Sequence, residues 1–234
     1  MKRAALPALA GAGLVTGLFL AISAPPDAIQ GEFVRILYVH VPSAWLAFMA
    51  FGVTALGSIM WLIRKDERWD RLAASSAEIG VLFTALALLT GMIWGRPVWG
   101  TYWDWLDARM SSTALMFFVY LGYLALRRAT PDPLQRARRS AILGVIAVIQ
   151  VPLVYFSVSI WRTLHQGMTV TSDGINMDGE MVRALLVNLG AFTLLYLALL
   201  FERVRLAKLE ALAEPITEAI AGEAISEPKL GSHT

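Results

Sequence analysis

Histidine is the residue type in this chain best suited to bind a metal, and the sequence holds only three. Two of them, His40 and His165, flank a stretch with four tryptophans within twelve residues, Trp94 to Trp105. A neutral imidazole is the commonest protein ligand for a metal ion. The chain has no cysteine, which excludes thiolate ligands, disulfides and thioether attachment of a cofactor. Any bound metal is therefore held by histidine, carboxylate or methionine.

The elements that position these residues are membrane-spanning helices. Hydrophobic residues make up 57% of the chain and charged residues 16%, and the mean hydropathy is +0.59. A bilayer core needs about 20 apolar residues per helix. The apolar runs are continuous rather than alternating, which excludes barrel strands. We predict an all-α integral membrane protein with six transmembrane helices, at residues 5–24, 43–63, 77–95, 112–126, 140–161 and 183–201.

The distribution of positive charge predicts how the helices are oriented. Of the 20 Lys and Arg residues, 15 lie at the termini or in the second and fourth loops. Both termini are therefore predicted to be cytoplasmic, and this asymmetry explains the net charge of +2 without nucleic-acid binding. We expect a transmembrane domain at 1–206 and a cytoplasmic, partly disordered tail at 207–234. The first apolar stretch also fits a cleaved signal peptide, although its length favours an uncleaved anchor.

This orientation places both histidines at the outer face. The second helix is predicted to begin at Pro42, a residue suited to the first helical position, which leaves His40 just above the helix end. The fifth helix, counted from Ser140, reaches His165 after about 37 Å and stops at Gly167. The tryptophan-rich segment 94–109 lies on the same face and is predicted to form an external amphipathic platform.

Two imidazoles from different helices suit haem better than zinc. Zinc needs four ligands, or three and a water, and the set would have to be completed by carboxylates, of which the external ones are Asp104, Asp107, Asp173, Asp178 and Glu180. Haem iron needs only one or two axial ligands, because the porphyrin supplies four. The macrocycle also needs an aromatic surface and cations for its propionates. The surface is offered by Trp94, Trp99, Trp103 and Trp105, and the candidate cations are Arg35, Arg96 and Arg109.

Three stretches of the sequence carry a recognisable pattern. They are WGRPVWGTYWDWLDAR at 94–109, GEFVRILYVHVPSAW around His40 and VPLVYFSVSIWRTLHQG leading into His165. The first resembles the tryptophan-rich "WWD" signature of a haem-handling membrane protein family, approximately W-G-x-x-x-W-G-x-x-W-x-W-D-x-R. The other two resemble the haem exporter protein C (CcmC) branch of that family, which belongs to the cytochrome c maturation system. The resemblance covers most of the chain from about Gly31 to Phe201.

The sequence departs from the family signature at one position. The family places its aspartate directly after the last tryptophan, whereas Leu106 stands here between Trp105 and Asp107. The run Asp107-Ala108-Arg109 still resembles the family's D-x-R, so we align Asp107 with the family aspartate. Asp104 is the alternative.

The resemblance implies haem delivery rather than catalysis by side chains. His40 and His165 would be the axial ligands of a non-covalently bound haem b. The platform would be formed by Trp94, Trp99, Trp103, Trp105 and Asp107, with propionate contacts from Arg35 and Arg109. The haem would be presented, at the periplasmic face of a bacterial inner membrane, to the periplasmic haem chaperone CcmE. The implied partners include the ABC-transporter-like CcmA and CcmB and the small protein CcmD. The chain has no G-x-x-x-x-G-K-[ST] loop, so ATP hydrolysis would belong to a partner.

Three other classes of membrane protein stay open. A transmembrane cytochrome would want histidine pairs at both faces, whereas His233 lies in the tail. A permease for haem or another small molecule would show charged or broken helices near the bilayer midplane. Its candidates are Glu78, near the cytoplasmic boundary, and the uncharged Gln150, Pro152 and Asn188. A purely structural subunit would bind no haem.

Overall fold

The computed structural model describes the backbone of residues 2–165, 170–171, 174–175 and 177–226, and the side chains of residues 4–165 and 177–213. The described residues form seven α-helices: α1 (Lys2–Ser23), α2 (Leu37–Arg64), α3 (Glu67–Trp99), α4 (Ala108–Arg128), α5 (Pro133–Ala147), α6 (Gln150–Ile160) and α7 (Gly179–Ser226). A 3-10 helix (Glu32–Ile36) precedes α2. A two-stranded antiparallel hairpin pairs β1 (Val170–Thr171) with β2 (Gly174–Ile175).

Six segments of the described chain are long and apolar enough to cross a bilayer. They are Ala4–Ser23, Glu32–Arg64, Glu67–Trp99, Ala108–Arg128, Pro133–Ile160 and Gly179–Ala213. The predicted all-α membrane fold with six transmembrane helices is therefore confirmed. Because consecutive spans run in opposite directions, the ends of α1, α3 and α6 and the beginnings of α2, α4 and α7 lie at one end of the bundle.

The fifth span consists of two helices, α5 and α6, which meet at residues 148–149. Pro152 causes the interruption, because it has no amide hydrogen and its ring collides with the carbonyl four residues earlier, that of Val148. The backbone tightens there: the amides of Ile149 and Val151 donate to carbonyls three residues back, at 3.3 and 3.0 Å. The span is thus interrupted, whereas one continuous helix was predicted.

The predicted end of this helix is wrong. α6 ends at Ile160, and Trp161 adopts an extended conformation with φ −121° and ψ 160°. His165 therefore lies on an irregular segment, 161–165, and not on the last turn of a helix. The amide of Leu164 donates to the carboxylate of Asp107 at 2.6 Å, which satisfies it without a helical partner. Gly167, the predicted helix stop, lies outside the described residues.

The predicted start of the second helix is also wrong. The 3-10 turn at Glu32–Ile36 leads directly into α2, which begins at Leu37, so His40 lies in the first turn of the helix. Pro42 sits inside α2, where it cannot donate a hydrogen bond to the carbonyl of Tyr38, and the helix continues through it to Arg64.

The tryptophan-rich segment is not a separate amphipathic element. Trp94 to Trp99 belong to the last two turns of α3, which ends at Gly100 with a left-handed φ of 77°. Residues 101–107 form a short loop, and Asp107 caps the beginning of α4. The platform predicted at 94–109 is therefore split between the end of one span, a loop and the start of the next.

Close packing of α2, α3 and α4 holds these ends in place. A Cβ atom on Gly80 would lie 2.5 Å from the Phe51 ring, so α3 can approach α2 only with glycine at this position. The Phe51 ring in turn stacks on that of Tyr120 in α4, with 3.5 Å between ring centroids and an interplanar angle of 11°. Two ion pairs tie α3 to its neighbours at the other end of the bundle: Asp70 with Arg127, at 2.6 Å, and Glu78 with Arg203, at 2.5 Å.

The last helix extends beyond its predicted span. That span was predicted to end at residue 201, whereas the helical backbone of α7 continues to Ser226. Residues 207–226 of the predicted tail are thus helical, and 227–234 lie outside the described residues.

Candidate functional site

His40 is held against α3 through one ring nitrogen. Its Nδ1 atom lies 3.0 Å from the carbonyl oxygen of Ala87 and 3.1 Å from the hydroxyl oxygen of Thr90. A carbonyl oxygen can only accept, so Nδ1 carries the proton and donates it. The Thr90 hydroxyl donates its own proton to the carbonyl of Leu86 at 2.7 Å. The lone pair of Nε2 is thereby left available to a metal.

The face of α3 that meets His40 is formed by residues at helical spacing. A Cβ atom on Gly91 would lie 3.0 Å from Cε1 of His40, so glycine gives the imidazole room against the helix. One turn further, the Trp94 ring meets the imidazole edge to face, with centroids 5.7 Å apart. The indole nitrogen of Trp94 donates to the side-chain oxygen of Gln30 at 2.9 Å. Sequence reasoning missed Ala87, Thr90 and Gly91; their i, i+3, i+4 spacing, with Trp94 at i+7, is the signal that points to them.

His165 is held by a buried carboxylate. Its Nδ1 atom lies 3.4 Å from Oδ1 of Asp107 and 3.3 Å from the hydroxyl oxygen of Thr163. That hydroxyl donates to Oδ2 of Asp107 at 2.5 Å, so its lone pairs face the imidazole. Both possible partners of Nδ1 accept, and its proton again leaves the Nε2 lone pair available. Sequence reasoning missed Thr163, which no motif marks.

The environment keeps His165 neutral and Asp107 charged. Burial lowers the pKa of His165, and the positive charge of Arg109 lowers it further, while Asp107 acts in the opposite direction and does not offset them. Burial alone would raise the pKa of Asp107. Hydrogen bonds from the Thr163 hydroxyl and from the amides of Met110 and Leu164 outweigh burial, so its pKa lies below the ordinary value. A neutral imidazole is the form that ligates a metal.

The two histidines and their aromatic neighbours lie near one another. The Trp99 ring is tilted against His165, with ring centroids 4.7 Å apart. The Trp94 ring contacts His40, and both tryptophans belong to the last two turns of α3. The structure therefore brings together His40 and His165 from separate spans, with Trp94 and Trp99 beside them.

The other two predicted platform tryptophans pair with each other in the loop. The rings of Trp103 and Trp105 meet at 5.2 Å between centroids, with an interplanar angle of 67°. Trp105 is 77% exposed and the inserted Leu106 is 91% exposed. Asp104, the alternative family aspartate, accepts the amide of Leu106 at 2.9 Å within the same loop. Trp105 and Leu106 thus present apolar surface outward, whereas Trp103 is half-buried.

The candidate cations differ in what they contact. Arg109 donates through Nη2 to the carbonyl of Tyr155 at 2.9 Å, while its Nε is buried with no hydrogen-bond partner. Arg35 pairs with Glu32 at 2.5 Å and donates to the carbonyls of Ala21 and Ile22, at the end of α1.

A third candidate cation, Arg96, contacts its own loop. Its guanidinium donates to the carbonyl of Gly100 and lies over the Tyr102 ring, 5.7 Å from the centroid. Among the three arginines, Arg109 is thus the one with a buried donor atom that has no partner and suits an anionic group.

The chain is similar to proteins of one family along most of its length. The family model described as heme exporter protein C matches residues 2–216. The chain belongs to this family. It is 44% identical to the heme exporter protein C of Bradyrhizobium diazoefficiens over 198 residues, covering 83% of this chain and 75% of that protein. It is 38% identical to the heme exporter protein C of Haemophilus influenzae over 215 residues, covering 91% and 86%.

A mitochondrial relative is matched to a similar extent. The chain is 37% identical to a putative cytochrome c biosynthesis ccmC-like mitochondrial protein of Arabidopsis thaliana over 206 residues, covering 88% of this chain and 78% of that one. Membership of the family makes the chain a multi-pass membrane protein with a role in haem handling for cytochrome c maturation. Such a role is that of a transport or handling subunit.

The site residues fit haem chemically. Within the part of the chain that the structure describes, no three His, Asp or Glu side chains converge as a metal-ion site. Two imidazoles with available Nε2 atoms match the two axial positions that a porphyrin leaves at its iron. Trp94 and Trp99 supply aromatic surface next to the ligands, and Arg109 supplies an unpaired buried donor for a carboxylate.

Proposed function

We propose that this chain binds haem non-covalently through His40 and His165 at the periplasmic face and presents it to the chaperone CcmE. The haem is haem b, and the chain works beside CcmA, CcmB and CcmD in the inner membrane, with both termini cytoplasmic. ATP hydrolysis belongs to those partners. The transfer of haem to the chaperone, and no chemistry by side chains, is the task of this chain.

One observation carries the proposal. Both histidines are held through Nδ1, one by the Ala87 carbonyl and the other by the Asp107 and Thr163 oxygens. A histidine that only packs in a core has no need to keep one particular nitrogen free, and two that do so, each against a tryptophan at the end of α3, are suited to ligate one iron. Bis-histidine ligation saturates the iron, which suppresses oxygen chemistry during delivery.

The surrounding side chains have separate roles in this proposal. Trp94 and Trp99 contact the ligands and pack against the macrocycle, and Arg109 binds a propionate with its unpaired Nε. The proposal of Arg35 as a second propionate contact rests on the resemblance alone, because its Nε and Nη1 atoms hold Glu32 and the end of α1. Trp105 faces outward, with the half-buried Trp103 packed against it, and the two rings form the side of the site that meets the chaperone.

Two of the four permease candidates, Glu78 and Asn188, give a permease no support, whereas the fifth span is interrupted at Pro152 and the Gln150 side-chain oxygen is buried without a hydrogen-bond partner. Glu78 pairs with Arg203 through two contacts, at 2.5 and 3.1 Å. The side chain of Asn188 donates to the carbonyls of Gly17 and Ala184, at 2.9 and 2.8 Å, and so joins α1 to α7. These partners indicate packing roles for both residues.

The test is an absorption spectrum of the full chain, purified in detergent and loaded with haem, in the oxidised and reduced states. We expect one low-spin haem. His40→Ala and His165→Ala should each yield a high-spin or haem-free protein, because one axial position loses its ligand. His233→Ala is the matched control and should leave the spectrum unchanged. Unchanged low-spin spectra in both site variants would refute the ligand assignment, and two haems per chain would favour a cytochrome.

A further inference from the structure

We propose that Asp107 is a positioning residue that acts on haem through His165 and is not itself part of the aromatic platform. Its carboxylate and the Thr163 hydroxyl fix the imidazole and strengthen Nε2 as a donor to the iron. His165 thereby becomes the stronger of two unequal axial ligands. This inference rests on the proposed function, since it presumes that His165 binds iron.

The burial of Asp107 decides against direct contact with a ligand. Its side chain is 0% exposed, and both carboxylate oxygens are used inside the protein. Oδ1 accepts the amide of Met110 at 2.8 Å and faces Nδ1 of His165. Oδ2 accepts the Thr163 hydroxyl and the Leu164 amide, at 2.5 and 2.6 Å. The carboxylate thus joins the beginning of α4 to the segment 161–165, across 56 residues of chain.

Capping a helix does not by itself explain this arrangement. Asp66 and Asp132 cap α3 and α5 in the same chain, and each accepts one backbone amide from its helix. The side chain of Asp66 is 41% exposed, and Asp132 is also exposed. Burying a charge costs free energy unless hydrogen bonds compensate. A helix cap needs no such burial. A carboxylate next to the Nδ1 atom of a metal-binding histidine, in contrast, orients the ring and raises the basicity of its other nitrogen.

The two ligands are consequently unequal. His40 donates its Nδ1 proton to a neutral carbonyl, that of Ala87. The Nδ1 atom of His165 lies 3.4 Å from a carboxylate oxygen of Asp107 and 3.3 Å from the Thr163 hydroxyl oxygen, and this hydroxyl donates to the same carboxylate. A negative partner at Nδ1 raises the basicity of Nε2, and a more basic ligand favours the ferric iron. His165 therefore retains the iron more strongly, and His40 is the ligand that exchanges first.

The experiment measures haem affinity and midpoint potential for the full chain in detergent. Asp107→Asn keeps an acceptor for the α4 cap but removes the charge, so we expect haem to bind about ten- to a hundredfold more weakly. The midpoint potential should shift to a more positive value, because the ferric state loses the stronger donor. Asp104→Asn, in the same loop and bonded to Leu106, is the matched control and should resemble the wild type.

A second pair of variants keeps the test decisive if Asp107→Asn fails to fold. Thr163→Val removes the hydroxyl at nearly constant volume and should shift the potential in the same direction, while Thr163→Ser should restore it. Wild-type potentials in Asp107→Asn and Thr163→Val would overturn the inference. A low-spin spectrum that survives His165→Ala would instead refute the proposed function, so the two failures are distinguishable.

Discussion

The two histidines of the site lie in opposite kinds of local structure. His40 stands in the first turn of a long helix and leans on a neighbouring helix, where a backbone carbonyl accepts its Nδ1 proton. His165 stands on an irregular segment after α6, where a buried side chain accepts it. A helix supplies rigidity by itself, but an irregular segment must obtain it from a specific contact. This difference explains why a buried carboxylate contacts His165, whereas a backbone carbonyl contacts His40.

Among the variants that test this difference between the two histidines, Gly91→Val should have the largest effect on haem binding. The added side chain collides with the His40 ring, because even a Cβ atom would lie 3.0 Å from Cε1. We expect the loss of low-spin haem and a drop in affinity of at least about tenfold. Gly52→Val on α2 is the control, since nothing lies within 4 Å of a Cβ atom there. If both valine variants bound haem like the wild type, α3 would not be the support of His40.

An intermediate effect should come from the tryptophans beside the ligands. Trp94→Ala and Trp99→Ala each remove a ring that contacts one histidine, which costs about 0.5 to 1.5 kcal/mol, or roughly two- to tenfold in haem affinity. Trp105→Ala should leave the affinity unchanged and reduce covalent loading of the chaperone, because this ring faces outward. Haem titration and a chaperone-loading assay separate the two roles. If Trp105→Ala lost haem affinity while Trp94→Ala and Trp99→Ala did not, the assignment of these roles would be reversed.

The smallest effect should come from Thr90→Val. The hydroxyl of Thr90 lies 3.1 Å from Nδ1 of His40, but the carbonyl of Ala87 remains to accept the proton. We expect a loss of under about 1 kcal/mol and no shift of the midpoint potential. The matched change behind His165, Thr163→Val, should shift the potential. Equal shifts in these two threonine variants would show that the two ligands are held alike.

Much of the architecture was predictable from the sequence. Long apolar runs predict spans because a bilayer core accepts only helices with satisfied backbones, and all six were found. That His40 and His165 lie at the same end of the bundle was predictable from their positions at the ends of spans. Asp107 was singled out by the family pattern, but as part of a platform. Its burial could not be anticipated, because burial depends on which segment packs over it.

The helix ends near the site were beyond the sequence. The position of Pro42 favoured a helix start there, and the helical rise from Ser140 with a stop at Gly167 favoured a helix reaching His165; both boundaries proved wrong. The 3-10 turn at Glu32–Ile36 leads into α2, which therefore begins before Pro42. After α6, a hydrogen bond to Asp107, which is distant in the chain, takes the place of the predicted last helical turn. Local preferences differ by only fractions of a kcal/mol per residue, so a few tertiary hydrogen bonds decide such boundaries.

By itself, the sequence determined the class of the protein, the number of its spans and the residue types available for iron, because composition and hydropathy act without regard to contacts. Only the tertiary structure decided which nitrogen of each histidine is held and by what. It did so because Ala87 and Asp107 reach His40 and His165 across 47 and 58 residues of chain, and only the packing of separate helices brings them together.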